Sequence, residues 1–176
     1  MLDNYIIDSL KSRANFCVKH MLISKVHGEF QKITGKFSYD SDNISQSIVE
    51  AKIETASINT HDAQRDAYLR SAEFLDVEKY PSITFRSTRM QRVGSKLLIT
   101  GNLTIHGVAR EVCLEVTGPS EKKAEPRSQM IIEALGSTKM RRKDFGLTWN
   151  AALEAGGFLV GDEVSVSLEV QLLKEF

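Results

Sequence analysis

Lys96-Leu97-Leu98-Ile99-Thr100-Gly101-Asn102-Leu103-Thr104-Ile105-His106 carries the architecture of this chain in one segment. Leu97, Ile99, Gly101, Leu103 and Ile105 fall on one face of an extended backbone and Leu98, Thr100, Asn102 and Thr104 on the other, the two-residue period of a half-buried strand. At the usual rise, eleven residues span roughly 36 Å, about twice the length of a common strand. The same alternation continues on both sides. Upstream, Val49, Ala51, Ile53 and Thr55 oppose Ile48, Glu50, Lys52 and Glu54. Downstream, Val108, Val112, Leu114 and Val116 lie opposite Glu111, Cys113 and Glu115. Met130, Ile132, Ala134, Gly136 and Thr138 follow after a polar stretch, Gly118 to Arg127, that reads as a loop, and Val164, Val166, Leu168, Val170 and Leu172 close the chain. One apolar and one polar face suits antiparallel strands. Many long strands leave exposed edges unless the sheet closes, so the expectation is an all-β chain forming an extended antiparallel barrel of about eight strands.

One segment breaks the period. Between Thr60 and Tyr80, Ala63, Ala67, Tyr68 and Phe74 fit helical spacing, Asp62 suits the N-terminal end and Pro81 stops the run, which predicts a short helical excursion. A second irregular stretch, Arg141 to Gly157, holds a basic cluster and the only tryptophan, Trp149.

With 176 residues, the chain is expected to form one domain over 1–176. Lys plus Arg and Asp plus Glu both number 23, so no net field favours nucleic acid or an anionic membrane. The longest uncharged apolar run, Ala155 to Gly161, is far shorter than the roughly 20 residues of a membrane span, and no integral membrane association is expected. Asp3, Asp8, Lys11, Arg13 and Lys19 leave no room for a secretory signal in the first twenty residues. The expected location is cytoplasmic, or periplasmic or secreted if a native signal was removed. Cys17 and Cys113 read as free thiols.

Catalytic signals are sparse. Cys17 and His20 are close in sequence but fall on opposite faces of one strand, which argues against a dyad. His20, His27, His61 and His106 lack the spacing of a zinc site, so no metal is expected, and no glycine opens a helix as a phosphate-cradling loop would. Arg65 and Asp66, with Arg70 nearby, either line a polar opening or tie the helix to a strand end. His20 shares a face with Phe16 and Val18 and reads as a satisfied core histidine or as a polar contact inside a cavity. Arg141, Arg142 and Lys143, beside Phe145 and Trp149, either hold an anionic head group or form a solvated loop.

Read in order, these segments resemble the YceI-like family, the lipocalin-like polyisoprenoid-binding proteins. The resemblance rests on Tyr5-Ile6-Ile7-Asp8, Ser12 and Phe16-Cys17-Val18-Lys19-His20, then Val26 to Phe30 with the family's Gly28. It continues through Ser57-Ile58-Asn59-Thr60, Arg65-Asp66-Ala67-Tyr68-Leu69-Arg70-Ser71, Phe74 and Tyr80-Pro81-Ser82-Ile83-Thr84-Phe85. Gly101 to Val108, Arg142-Lys143-Asp144-Phe145-Gly146-Leu147 and Val160-Gly161-Asp162-Glu163-Val164 complete it. Departures fall at Tyr68, where the family has His, at Arg141, where Asn is common, and at His106, where Arg or Lys is common.

The resemblance implies an extended lipocalin-like eight-stranded barrel, a homodimer of two copies of the chain, and a lumen that holds an isoprenoid such as a polyprenyl phosphate or an isoprenoid quinone. The first expectation is therefore non-enzymatic binding, storage or transport of an amphipathic isoprenoid, with no cofactor beyond the bound lipid. Phe16, Val18, Phe30, Phe85, Leu103, Ile105, Phe145 and Trp149 are the candidates for tail contacts, and His20, Arg65 and Arg142 for polar contacts. The alternatives are an enzyme acting on a small or lipid substrate through His20, Arg65, Asp66, Arg142 and Asp144, and a scaffold whose barrel is filled by side chains.

Overall fold

The computed structural model describes residues 1–20, 24–126, 128–148 and 160–176. Eight strands form an up-and-down meander. β1 comprises Asp3–Ile7 and Arg13–His20, β2 Ser24–Phe30 and Ile33–Tyr39, and β3 Ile48–Glu54 and Ile58–Asn59. After the helix α1 (Ala63–Arg70) come β4 (Ser82–Val93), β5 (Lys96–Ile105), β6 (Val108–Ala124), β7 (Gln129–Arg141) and β8 (Val160–Lys174). Each strand pairs antiparallel with the next, and β8 returns to β1, pairing with both of its halves (Ile7↔Leu172, Val18↔Val164). The sheet is closed, which removes the exposed edges that long strands would otherwise carry. Among the described residues, no helix is long and apolar enough to cross a membrane.

The bend between the halves of β1 is fixed from across the seam. Asp8 N–H donates to the Gln171 carbonyl at 2.8 Å, and the buried Ser12 hydroxyl accepts from Gln171 N–H at 3.0 Å. The chain therefore leaves the ladder for a few residues without leaving these backbone groups unpaired.

Three local expectations change. The stretch Gly118 to Arg127, read as a loop, is strand as far as Ala124: Ser120 pairs with Glu133, Lys122 with Ile131 and Ala124 with Gln129, and Lys122 Nζ lies 2.7 Å from Glu133 Oε2. Its residues are mostly exposed, so no apolar face marks it, and the backbone ladder holds it in place. The 96–106 strand ends at Ile105, because His106 (φ 53) and Gly107 (φ 73) form the left-handed hairpin turn. A Cβ at Gly107 would lie 2.6 Å from the Tyr80 ring, so glycine is needed there on two counts. In the excursion, Ala63 and Ala67 are exposed, and the helix ends at Arg70; Tyr68, Leu69, Phe74 and Leu75 face the barrel instead. Asp62 caps α1, accepting from Arg65 N–H at 3.0 Å.

The two ends of the barrel differ. At one end Tyr5, Phe37, Tyr39, Met90 and Ile132 are buried and pack together, with Phe37 and Tyr39 ring centroids 5.2 Å apart. The other end carries α1, the 106–107 turn and a 3₁₀ turn, Arg142–Phe145, and is called here the helix end.

Candidate functional site

Inward residues of all eight strands enclose a cavity of about 470 Å³. This is within the range of about 300–1,000 Å³ for small-molecule sites. The walls are mainly Val, Ile, Leu and Phe, and among the described lining residues the charged ones, Lys19, Arg65 and Arg142, all belong to the helix end. Among the described residues, side chains line this lumen without filling it.

Two glycines keep the lumen open. An ideal Cβ on Gly28 would meet the Phe16 ring at 2.3 Å, and one on Gly101 would meet the Phe85 ring at 2.6 Å. Each phenyl ring thus lies flat across a glycine on the neighbouring strand, as a wall panel and not as a plug. Phe16 also packs on Phe30 at 5.6 Å between centroids.

Phe16, Val18, Phe30 and Phe85 line this cavity, and so do Leu103, Ile105 and Phe145. Trp149 lies outside the described residues. His20 ends β1, paired with Ser24 and Val160, at the helix end; its side chain is likewise outside the description. Arg65 and Arg142 also line the helix end of the lumen.

Their guanidinium groups are engaged with the protein. Arg65 Nε donates to Thr60 Oγ1 at 2.8 Å and Nη2 to the Thr60 carbonyl at 2.7 Å. Arg142 is buried, and its Nε, Nη1 and Nη2 donate to the carbonyls of Gly161 (2.8 Å), Leu147 (2.8 Å) and Val160 (3.2 Å). Burial pushes its pKa down from the usual value, and Asp162 opposes that shift. Asp66 is buried and accepts from the Thr60 amide at 2.9 Å and from the Thr60 hydroxyl. Arg70 donates to the carbonyls of Ala56 and Ile58, so α1 is lashed to the end of β3 by side chains. Of the two readings of Arg65 and Asp66, the tie between helix and strand end is what these bonds describe. Asp144, the remaining acid of the enzymatic alternative, is exposed.

Tyr68 lines the mouth and donates its hydroxyl to Glu73 at 3.1 Å; desolvation, then Glu73, raises its pKa. Cys17 has His27 of β2 as its cross-strand partner, Sγ to Nε2 being 4.0 Å, while the neighbouring Phe16 and Val18 face the lumen. Among the described residues no cluster of His, Cys, Asp and Glu is arranged to hold a metal.

Several parts of the site escaped sequence reasoning. The sealed end was not foreseen, although Tyr5, Tyr39 and Met90 sit at alternating inward positions. The small residues Ala134 and Gly136, which line the deep half, were read only as members of a strand face.

With this geometry in hand, three sets of similarities bear on the chain. "Protein YceI" of Salmonella newport is 46% identical over 136 residues, which cover 76% of this chain and 70% of the relative. A UPF0312 protein of Vibrio cholerae is 36% identical over 149 residues, 82% of this chain and 77% of the relative. Among solved structures, Burkholderia cenocepacia BcnA superposes with a TM-score of 0.77 at 24% identity, covering 94% of this chain and 98% of the other. Campylobacter jejuni YceI protein gives 0.76 at 26% identity, covering 90% of each chain. A polyisoprenoid binding domain from Saccharophagus degradans, implicated in plant cell wall breakdown, gives 0.70 at 16% identity, covering 99% of this chain and 100% of that one. The YceI-like domain matches residues 5–172, and this chain, with its closed eight-stranded barrel and open apolar lumen, belongs to the YceI-like family.

Proposed function

We propose that the protein binds one elongated amphipathic isoprenoid, a polyprenyl phosphate or an isoprenoid quinone, and stores or carries it without chemical change. The observation that carries this reading is the polarity of the lumen: apolar along its length, sealed by packed side chains at one end, with Lys19, Arg65 and Arg142 at the other. A ligand matched to it has a long apolar tail and one polar end. Family membership and the polyisoprenoid binding described for the Saccharophagus degradans domain support the same class. Burying each CH₂ contributes roughly 0.8 kcal/mol, so a dozen supply about 10 kcal/mol before ordering costs, and the tail dominates affinity. The head group sits at the helix end, beside Tyr68 and the arginines.

The test is extraction of the protein purified from its own host, followed by reloading with a linear isoprenoid alcohol and native mass spectrometry. One lipid per chain is expected. Leu103→Glu puts a carboxylate on the lumen wall, where burial without a partner is costly. It should weaken retention at least a hundredfold in a protein with an unchanged far-ultraviolet spectrum. A wild-type chain that arrives empty and takes up no isoprenoid overturns the proposal.

A further inference from the structure

We infer that the lumen is a ruler that accepts about four to five isoprene units in extended form, its deep half being kept open by Gly136 and Ala134. This rests on the isoprenoid reading above and adds a chain-length limit to it. Two walls give the same length, and a third extends past it at the mouth. The cavity runs from Leu97 to Ile105 on β5 and from Ala134 to Arg142 at the end of β7, each an interval of eight residue steps; on β8 it runs from Leu172 past Val164 to Val160, which pairs with His20 beyond a bulge. Eight steps rise roughly 27 Å along a strand, which a barrel tilt of roughly 35–45° reduces to about 20 Å along the axis. Carbon–carbon bonds of ~1.5 Å make a four-carbon repeat project about 5 Å, so four to five repeats fill the length.

The limit is physical, because beyond Leu97 and Leu172 the barrel is solid. Tyr5, Met90 and Ile132 are each at most 1% exposed and do not line the cavity. A longer tail has to double back or leave its surplus outside the helix end.

Gly136 is the point at which the length can be altered. It lines the lumen, pairs with Val116 and Leu168, and has an ordinary backbone. An added Cβ would meet its nearest neighbours, Leu168 and Val116, at 3.5–3.6 Å, which is normal van der Waals contact. That is unlike Gly28 and Gly101, whose Cβ atoms would collide with the Phe16 and Phe85 rings. A larger side chain at 136 therefore enters the lumen and not the wall. Gly136 lies about six residue steps from Arg142, roughly 15 Å along the axis and about three repeats from the mouth.

The experiment titrates wild type, Gly136→Leu and Ala134→Leu with linear all-trans isoprenoid alcohols of two to nine units, by native mass spectrometry and calorimetry. Thermal melts report the fold of each variant, and Ala134→Leu stands in should Gly136→Leu melt early. For wild type, affinity should rise at least tenfold per added unit up to four or five units and then level off. In Gly136→Leu the plateau should fall at about three units, and in Ala134→Leu about one unit below the wild-type plateau, whichever value that takes. Wild-type affinity that keeps rising through nine units, or plateaus that the variants leave in place, overturns the ruler while leaving isoprenoid binding standing. Failure of every alcohol to bind the wild-type chain overturns the proposed function itself.

Discussion

Arg142→Leu separates an arginine that holds the mouth together from one that holds a ligand. Its Nε, Nη1 and Nη2 reach the carbonyls of Gly161, Leu147 and Val160, joining the turn after β7 to the start of β8. Hydrogen bonds to a charged group each contribute about 1.5–3 kcal/mol, a gross loss of about 4–9 kcal/mol for three. Relief of the buried charge and hydration of the freed carbonyls at the mouth offset much of that, leaving about 3 kcal/mol of destabilisation. For a chain of this size the melting temperature should fall by about 6–12 °C. Lysine concentrates its charge at one point and cannot reproduce the planar fork, so Arg142→Lys should recover less than half of the loss. The assay is urea unfolding, with the midpoint lowered and the slope unchanged, alongside binding of a neutral isoprenoid alcohol and its phosphate. A loss below about 1 kcal/mol, together with a lost preference for the phosphate, would refute the clamp and return Arg142 to the ligand.

Two further outcomes follow from the packing. Gly28→Val drives the Phe16 ring off the wall and into the lumen, since the clash at 2.3 Å is with the far end of that side chain. Isoprenoid affinity should fall at least tenfold, and Gly28→Val with Phe16→Ala should regain most of it; calorimetry on both decides, and a double variant no better than the single would sink the wall-panel account. Burial first, and then Glu121, Asp3 and Tyr39, push the Tyr5 pKa up to about 12. The unfolded chain ionises near pH 10, so the associated stability is complete below that pH and is lost as pH rises towards 12. Tyr5→Phe should flatten that alkaline decline in a stability–pH series; an equal decline in both proteins would exclude Tyr5 as its source.

The barrel walls were legible because each inward strand face pairs an apolar stripe with a polar outer one. Val164 to Leu172 and Leu97 to Ile105 show this without interruption, and every described tail candidate lines the cavity. Legibility failed where period and burial part company. The second half of β6 is strand with no apolar face, so its charged residues read as a loop. Arg65 and Arg142 line one end of the lumen with Asp66 behind them, but their hydrogen-bond partners, five to nineteen residues away, leave no periodic trace. Gly136 was hidden for the opposite reason: it obeys the alternation, and its meaning lies in the space it does not fill.

The seam between β1 and β8 has a kinetic consequence. All other pairings in the barrel join strands adjacent in the chain, whereas Ser12 meets Gln171 across 159 residues. Loop-closure entropy for that one contact must be met before its hydrogen bonds form, so the meander can assemble strand by strand while the seam waits for the last strand. Until it closes there is only a curled sheet with an oily inner surface; the binding cavity comes into existence as the final event of folding.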